Sequence, residues 1–86
     1  MKITAALVRE QQTTFAVVVV KPTAMQPPNR DQTQRQLQPL FPGLPLVLMS
    51  QDHTGTPTNW GRSDIIRFLA AIDPARLPWR EHRVAS

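Results

Sequence analysis

Cysteine is absent from the 86 residues of this chain. That absence removes a disulfide framework, a thiolate zinc site and a thiol nucleophile together. It also fits a reducing compartment. Tyrosine is missing too, and only two tryptophans, three phenylalanines and three glycines are present. Long apolar runs are lacking as well. The longest, Phe15 to Val20, has six residues, against the roughly 20 that a membrane-spanning helix requires. The opening Met1-Lys2-Ile3-Thr4-Ala5-Ala6-Leu7-Val8-Arg9 offers one lysine but too short an apolar stretch for a secretory leader. The expectation is a cytoplasmic protein that does not engage a membrane.

Acidic charge is in modest deficit. Ten Lys and Arg face six Asp and Glu, for a net charge of +4. The sequence pI of about 11.2 overstates this excess. With no tyrosine or cysteine to titrate, few groups change charge between neutrality and the arginine range. The balance favours an anionic partner without naming one. An apolar fraction of 41% with 19% charged residues describes a folding chain of one domain and one core, not a disordered one.

Proline is the residue in surplus, with nine copies. They fall between the periodic segments and punctuate them. Lys2 to Arg9 reads as a first strand, followed by the polar turn Glu10-Gln11-Gln12-Thr13, which lacks the Asn-Gly or Asp-Gly of a strong hairpin signal. Thr14 to Lys21 is a second strand. Its four consecutive valines are stiff at χ1 and favour the extended state. Because both of its alternating faces are apolar, it should be central and covered on both sides. Asn29 with Gln32 resembles a capping box and opens a helix over Arg30 to Gln38. That helix carries its apolar residues near one end and should lie on the surface.

Leu46 to Ser50 reads as a third strand, and Ser63 to Ile72 as a second helix. On a helical wheel, Ile65, Ile66, Phe68, Leu69 and Ile72 share an arc of about 160°. Arg67, Ala70 and Ala71 face the other way, so this is an amphipathic core helix that Pro74 stops. Leu77-Pro78-Trp79 should cover the core, and a short edge strand over 81–85 completes the chain. The expected fold is α+β: a small mixed sheet of three to four strands with two helices, in the order ββαβα(β). The helical crossover between the second and third strands should make that pair parallel.

The stretch between the third strand and the second helix holds most of the chemically useful side chains. Loops that leave a strand and enter a helix are where ligands tend to bind. Gly55-Thr56-Pro57-Thr58-Asn59-Trp60-Gly61-Arg62-Ser63 invites a phosphate-loop reading and fails it. Five residues separate its glycines instead of four, Pro57 removes a donor, and Arg62 stands where lysine belongs. Anion binding at the helix N-terminus, helped by Arg62, is a looser version. The plainer one has Ser63 capping the helix and Asp64 complementing its dipole.

His53 and His82 are the only histidines, and no HxxxH or HxH pair exists, so no metal or other cofactor is expected. Ser50, Asp52 and His53 hold triad residue types without the convergence or the elbow motif that nucleophilic catalysis needs. Trp60 and Trp79 are interleaved with Arg62, Arg76, Arg80 and Arg83, a composition able to stack on single-stranded nucleic acid. From Asp52 onward, however, five arginines meet four acids, and the region is nearly neutral.

The ten-residue loop Asp52 to Gly61 exceeds the usual two to six, and long loops are disproportionately functional. The leading expectation is a non-enzymatic protein-interaction module that uses segment 52–62. Asp52, His53, Thr58, Asn59, Trp60 and Arg62 are its contact residues; Trp60 is the anchor and Arg62 a polar contact. Its partner is another protein or, by homodimerisation, a second copy, since small sheets have edges to cover. A nucleic-acid-binding protein built on the Arg/Trp cluster is the first alternative. A small anion-binding protein or enzyme using His53 and Arg62 is the second.

Overall fold

The computed structural model describes residues 2–10 and 12–83. Five strands and two helices follow in the order β1 (Lys2–Glu10), β2 (Thr13–Val19), α1 (Asn29–Leu37), β3 (Leu46–Gln51), β4 (Pro57–Trp60), α2 (Ser63–Ala70) and β5 (Trp79–Arg83). All five strands form one mixed sheet, ordered β4-β3-β2-β1-β5. The α+β class is as expected, and β2 is the middle strand. The sheet has one strand more than the three to four expected, and the order is ββαββαβ instead of ββαβα(β). The extra strand is β4, inside the segment read as a loop. The expected last strand starts two residues earlier, at Trp79, and its residues 84 and 85 lie outside the described ones.

β2 pairs antiparallel with β1 and parallel with β3, while β3–β4 and β1–β5 are antiparallel. Glu10 pairs with Thr13 at the end of the first hairpin, and Gln12 adopts φ 67°, a left-handed conformation where glycine or asparagine is easier. The valine-rich β2 divides its side chains between two cores. Phe15 and Val17 join Ala6, Val47 and Met49 beneath Ile65 and Leu69 of α2. Ala16 and Val18 join Ala5, Leu46 and Leu48 beneath Leu37 of α1 and Phe41. One helix therefore covers each side of the sheet, hereafter the α1 face and the α2 face.

Helix α1 meets the core only near its end, where Leu37 is its one buried residue. It begins one residue before the expected start. Pro28 takes the N-cap place, and the Asn29 side chain instead donates to the Thr23 carbonyl at 3.2 Å. Helix α2 is amphipathic as its wheel requires, burying Ile65 and Leu69. Ser63 does not cap it; Arg62 occupies the N-cap place without a side-chain cap bond. Leu77 is buried on the α2 face and Trp79 packs against the same core. The Trp79 indole N–H donates to the Pro74 carbonyl at 2.8 Å.

Candidate functional site

Segment 52–62 is an arm of the sheet. A tight turn over Asp52 to Thr56 reverses the chain, and β4 then returns along β3, with Trp60 opposite Leu48 and Thr58 opposite Ser50. Asp52 organises the turn. Its Oδ1 accepts from the Thr54 amide at 2.9 Å, the Thr54 hydroxyl at 2.6 Å and the Thr56 amide at 2.9 Å. These bonds, the Thr54 hydroxyl first among them and the Thr56 amide next, hold its carboxyl below the usual aspartate value. The Asp52 amide donates to the Thr56 carbonyl at 3.1 Å, which extends the ladder of β3 and β4 into the turn.

That bond also sets the phase of β4. Antiparallel partners alternate between facing and turning away, so residues 58 and 60 aim their backbone groups at β3. Pro57 and Asn59 aim theirs outward. A proline at an outward position of an edge strand forfeits no ladder bond. Pro57 therefore marks the free side of the strand.

Trp60 lies on the α1 face, half-buried and packed against that core. The Arg30 guanidinium, from the first turn of α1, sits over its ring at 5.3 Å from the centroid. Such a contact contributes about 0.5–2 kcal/mol. Gly61 then lets the chain leave β4 tight against β3. A Cβ added there would stand 2.9 Å from Val47 Cγ2 and 3.2 Å from the Leu46 carbonyl oxygen. Arg62, next in line, forks onto Asp64 at 3.2 Å through Nε and 2.7 Å through Nη2. The pair is exposed, and the arginine holds the Asp64 carboxyl below its usual value.

The six residues expected to make the site thus fall into two groups. Asp52 and His53 occupy the turn, both exposed. Asn59, Trp60 and Arg62 stand at the far end of the hairpin, with Thr58 between them. Thr56 to Arg62 spans about 20 Å of extended chain. Thr58 and Trp60 share the α1 face, while Asn59 points to the α2 face. Arg62 is paired with Asp64 in the open. Among the described residues, His53 belongs to no group of three or more His, Cys, Asp or Glu side chains that could hold a metal ion.

The hairpin borders a cleft on each face. On the α1 face, Trp60, Gly61 and Arg62 meet Gln34, Gln38 and Leu46 around a cleft of about 380 Å³. On the α2 face, Gln51 and Gly55 meet Val19, Met49 and Trp79 around one of about 430 Å³. The latter lies off the carboxyl ends of the parallel pair β2 and β3, where open sheets commonly receive ligands. Sequence reasoning missed Arg30, Gln34 and Gln38. Their spacing of four residues places them on one stripe of α1 and its C-cap residue Gln38, and that stripe faces the hairpin. The Gln38 side chain is already engaged, donating to the Phe41 and Leu44 carbonyls at 3.1 and 2.8 Å.

The Arg/Trp cluster is divided by the fold. Trp60 and Trp79 stand on opposite faces and on opposite edges of the sheet, so they do not form one stacking platform. No family model, curated protein or solved structure matches the chain.

Proposed function

We propose that the chain is a small, non-enzymatic protein-interaction module that takes its partner along segment 52–62. The observation that carries this reading is the contrast between the sheet's two outer strands. β5 is Trp79-Arg80-Glu81-His82-Arg83, four ionisable residues in five; β4 is Pro57-Thr58-Asn59-Trp60, with none. Charged side chains on an outer strand discourage another strand from pairing with it. β4 has only its shortness and Pro57 as a guard, and leaves the backbone groups of Asn59 turned outward. An extended segment of a partner adds there by main-chain bonds. Trp60 supplies apolar surface beside it, and Arg62 a polar rim.

The test compares the native chain with a Thr58→Lys, Arg62→Glu double variant in affinity capture from the native cell, with and without nuclease. Both residues are exposed, so the melting temperature should hold. A protein retained by the native chain, insensitive to nuclease and lost with the variant, is the expected result. Retention that depends on nucleic acid would favour the first alternative. Capture unchanged by the variant sinks the assignment to this segment.

A further inference from the structure

The α1 face is only partly covered. α1 runs from the β4 side, where Arg30 meets Trp60, and the chain after it reaches the β5 side, where the Phe41 ring meets the His82 ring edge-on at 5.8 Å. Beyond that contact, Leu7 and Arg9 of β1, Arg80 of β5 and Pro78 just before it are exposed. Ala5 and Leu7 form the floor of a cleft of about 460 Å³ whose walls are Pro78, Arg80 and His82. Ala5 is sealed, yet Leu7, two positions along the same face, is 47% exposed.

Strand alternation sorts the charges here. On β1 and β5, Arg9, Arg80 and His82 project to the α1 face, whereas Glu10 and Glu81 project to the α2 face. The remaining acids are elsewhere. Asp64 and Asp73 belong to elements packed on the α2 face, Asp52 lies in the β3–β4 turn, and Asp31 adjoins Arg30 near β4. Among the described residues, the patch is apolar in its floor and basic at its rim.

From this complementarity we infer that the exposed corner of the α1 face around Leu7, Arg9 and Arg80 binds an acidic amphipathic helix of a partner protein, laid beside α1 over β1 and β5. The two strands together are about 10 Å wide, the diameter of one helix. Apolar side chains of the helix cover Leu7. Its carboxylates meet the guanidiniums of Arg80 and Arg9, whose planar forks suit them. The sheet then has two helices on this face, continuing the layer that α1 begins. This surface is separate from β4 and stands or falls independently of it.

The probe is a fluorescein-labelled helical peptide of about 16 residues, roughly 24 Å long, with a leucine stripe flanked by glutamates. Its control carries lysine in place of every glutamate. The glutamate peptide should bind the full chain and shift the NMR signals of Leu7, Arg9, Arg80 and His82. Leu7→Lys and Arg80→Glu should each weaken it about tenfold or more, or ~1.4 kcal/mol, with Leu7→Ser as a second apolar-loss variant. Arg80→Glu should in turn improve binding of the lysine peptide. Absence of binding by the glutamate peptide, equal binding by the control, or indifference to both variants would overturn the inference. So would displacement of the peptide from this patch by a single-stranded oligonucleotide that binds more tightly.

Discussion

β4 and β5 close the same sheet at its two sides, and each carries a tryptophan, but the two are secured differently. Trp79 lies on the α2 face, tied by its indole N–H to the Pro74 carbonyl, in a strand whose other residues are all ionisable. Trp60 lies on the α1 face under Arg30, in a strand with no ionisable residue. Both strands follow an aspartate-organised bend: Asp52 before β4, and Asp73, which accepts from the Ala75 amide at 3.0 Å, before β5. The scaffolding of the two sides is therefore similar. The difference lies in how each tryptophan is held and in what each strand presents outward, and the proposal that β4 accepts a partner strand rests on it.

The strongest perturbation should ignore that difference. Val18 is fully buried in the middle strand, and Val18→Asp places an unpaired carboxylate in the α1-side core. A penalty of several kcal/mol is expected, enough to abolish cooperative folding of a domain this small. A soluble mutant with a sharp thermal transition would break the assignment of β2 as the shared support of both sides.

Truncating the two tryptophans separately tests the sides against each other. Trp60→Ala and Trp79→Ala should each cost about 2–3 kcal/mol, below a fully buried case because both are half-exposed. Trp79→Ala should cost more, since it also removes the indole donor from the Pro74 carbonyl, which keeps only the Leu77 amide at 3.1 Å. Denaturant midpoints would reveal the order, and a negligible effect at Trp60 would mean that the residue is held in reserve for a partner. Gly61→Ala should follow at about 1–3 kcal/mol. Its new methyl meets Val47 and the Leu46 carbonyl within β3, prying off β4 while leaving β5 in place. Hydrogen exchange should show protection lost in β3–β4 and kept in β1–β5.

Why one side was legible and the other was not follows from the residues. The valines of β2, the apolar arc of α2 and the spacing of prolines are local signals, and each corresponds to an element near its expected bounds. Pro57-Thr58-Asn59-Trp60 has no apolar alternation and contains two residues depleted in strands. It is extended because β3 offers it a ladder, a fact held in Leu48 to Gln51 upstream and not in its own composition. The unusual length of the supposed loop was the one visible sign that it held more than a loop. The site was legible as a stretch of chain, but not as a surface. Arg30 reaches Trp60 across 30 residues of sequence, and the separation of Trp60 from Trp79 depends on strand order, which no local pattern encodes.

The smallest expected effect concerns the turn that launches β4. Hydrogen bonds from the Thr54 hydroxyl and the Thr56 amide hold the Asp52 carboxyl below its ordinary value of 3.8. A group whose folded value is depressed stabilises the folded form when ionised. That contribution is complete above the ordinary carboxylate range and disappears as pH falls through the lower, folded value. The turn should therefore stay closed through mild acid and loosen only below 3.8. The amide signals of Thr54 and Thr56, followed by NMR during acid titration, should share a midpoint below that value, and Asp52→Asn should remove the transition. A midpoint at or above it would show that the turn gains nothing from the charge. β4 would then owe its place to its pairing with β3 and the packing of Trp60 alone.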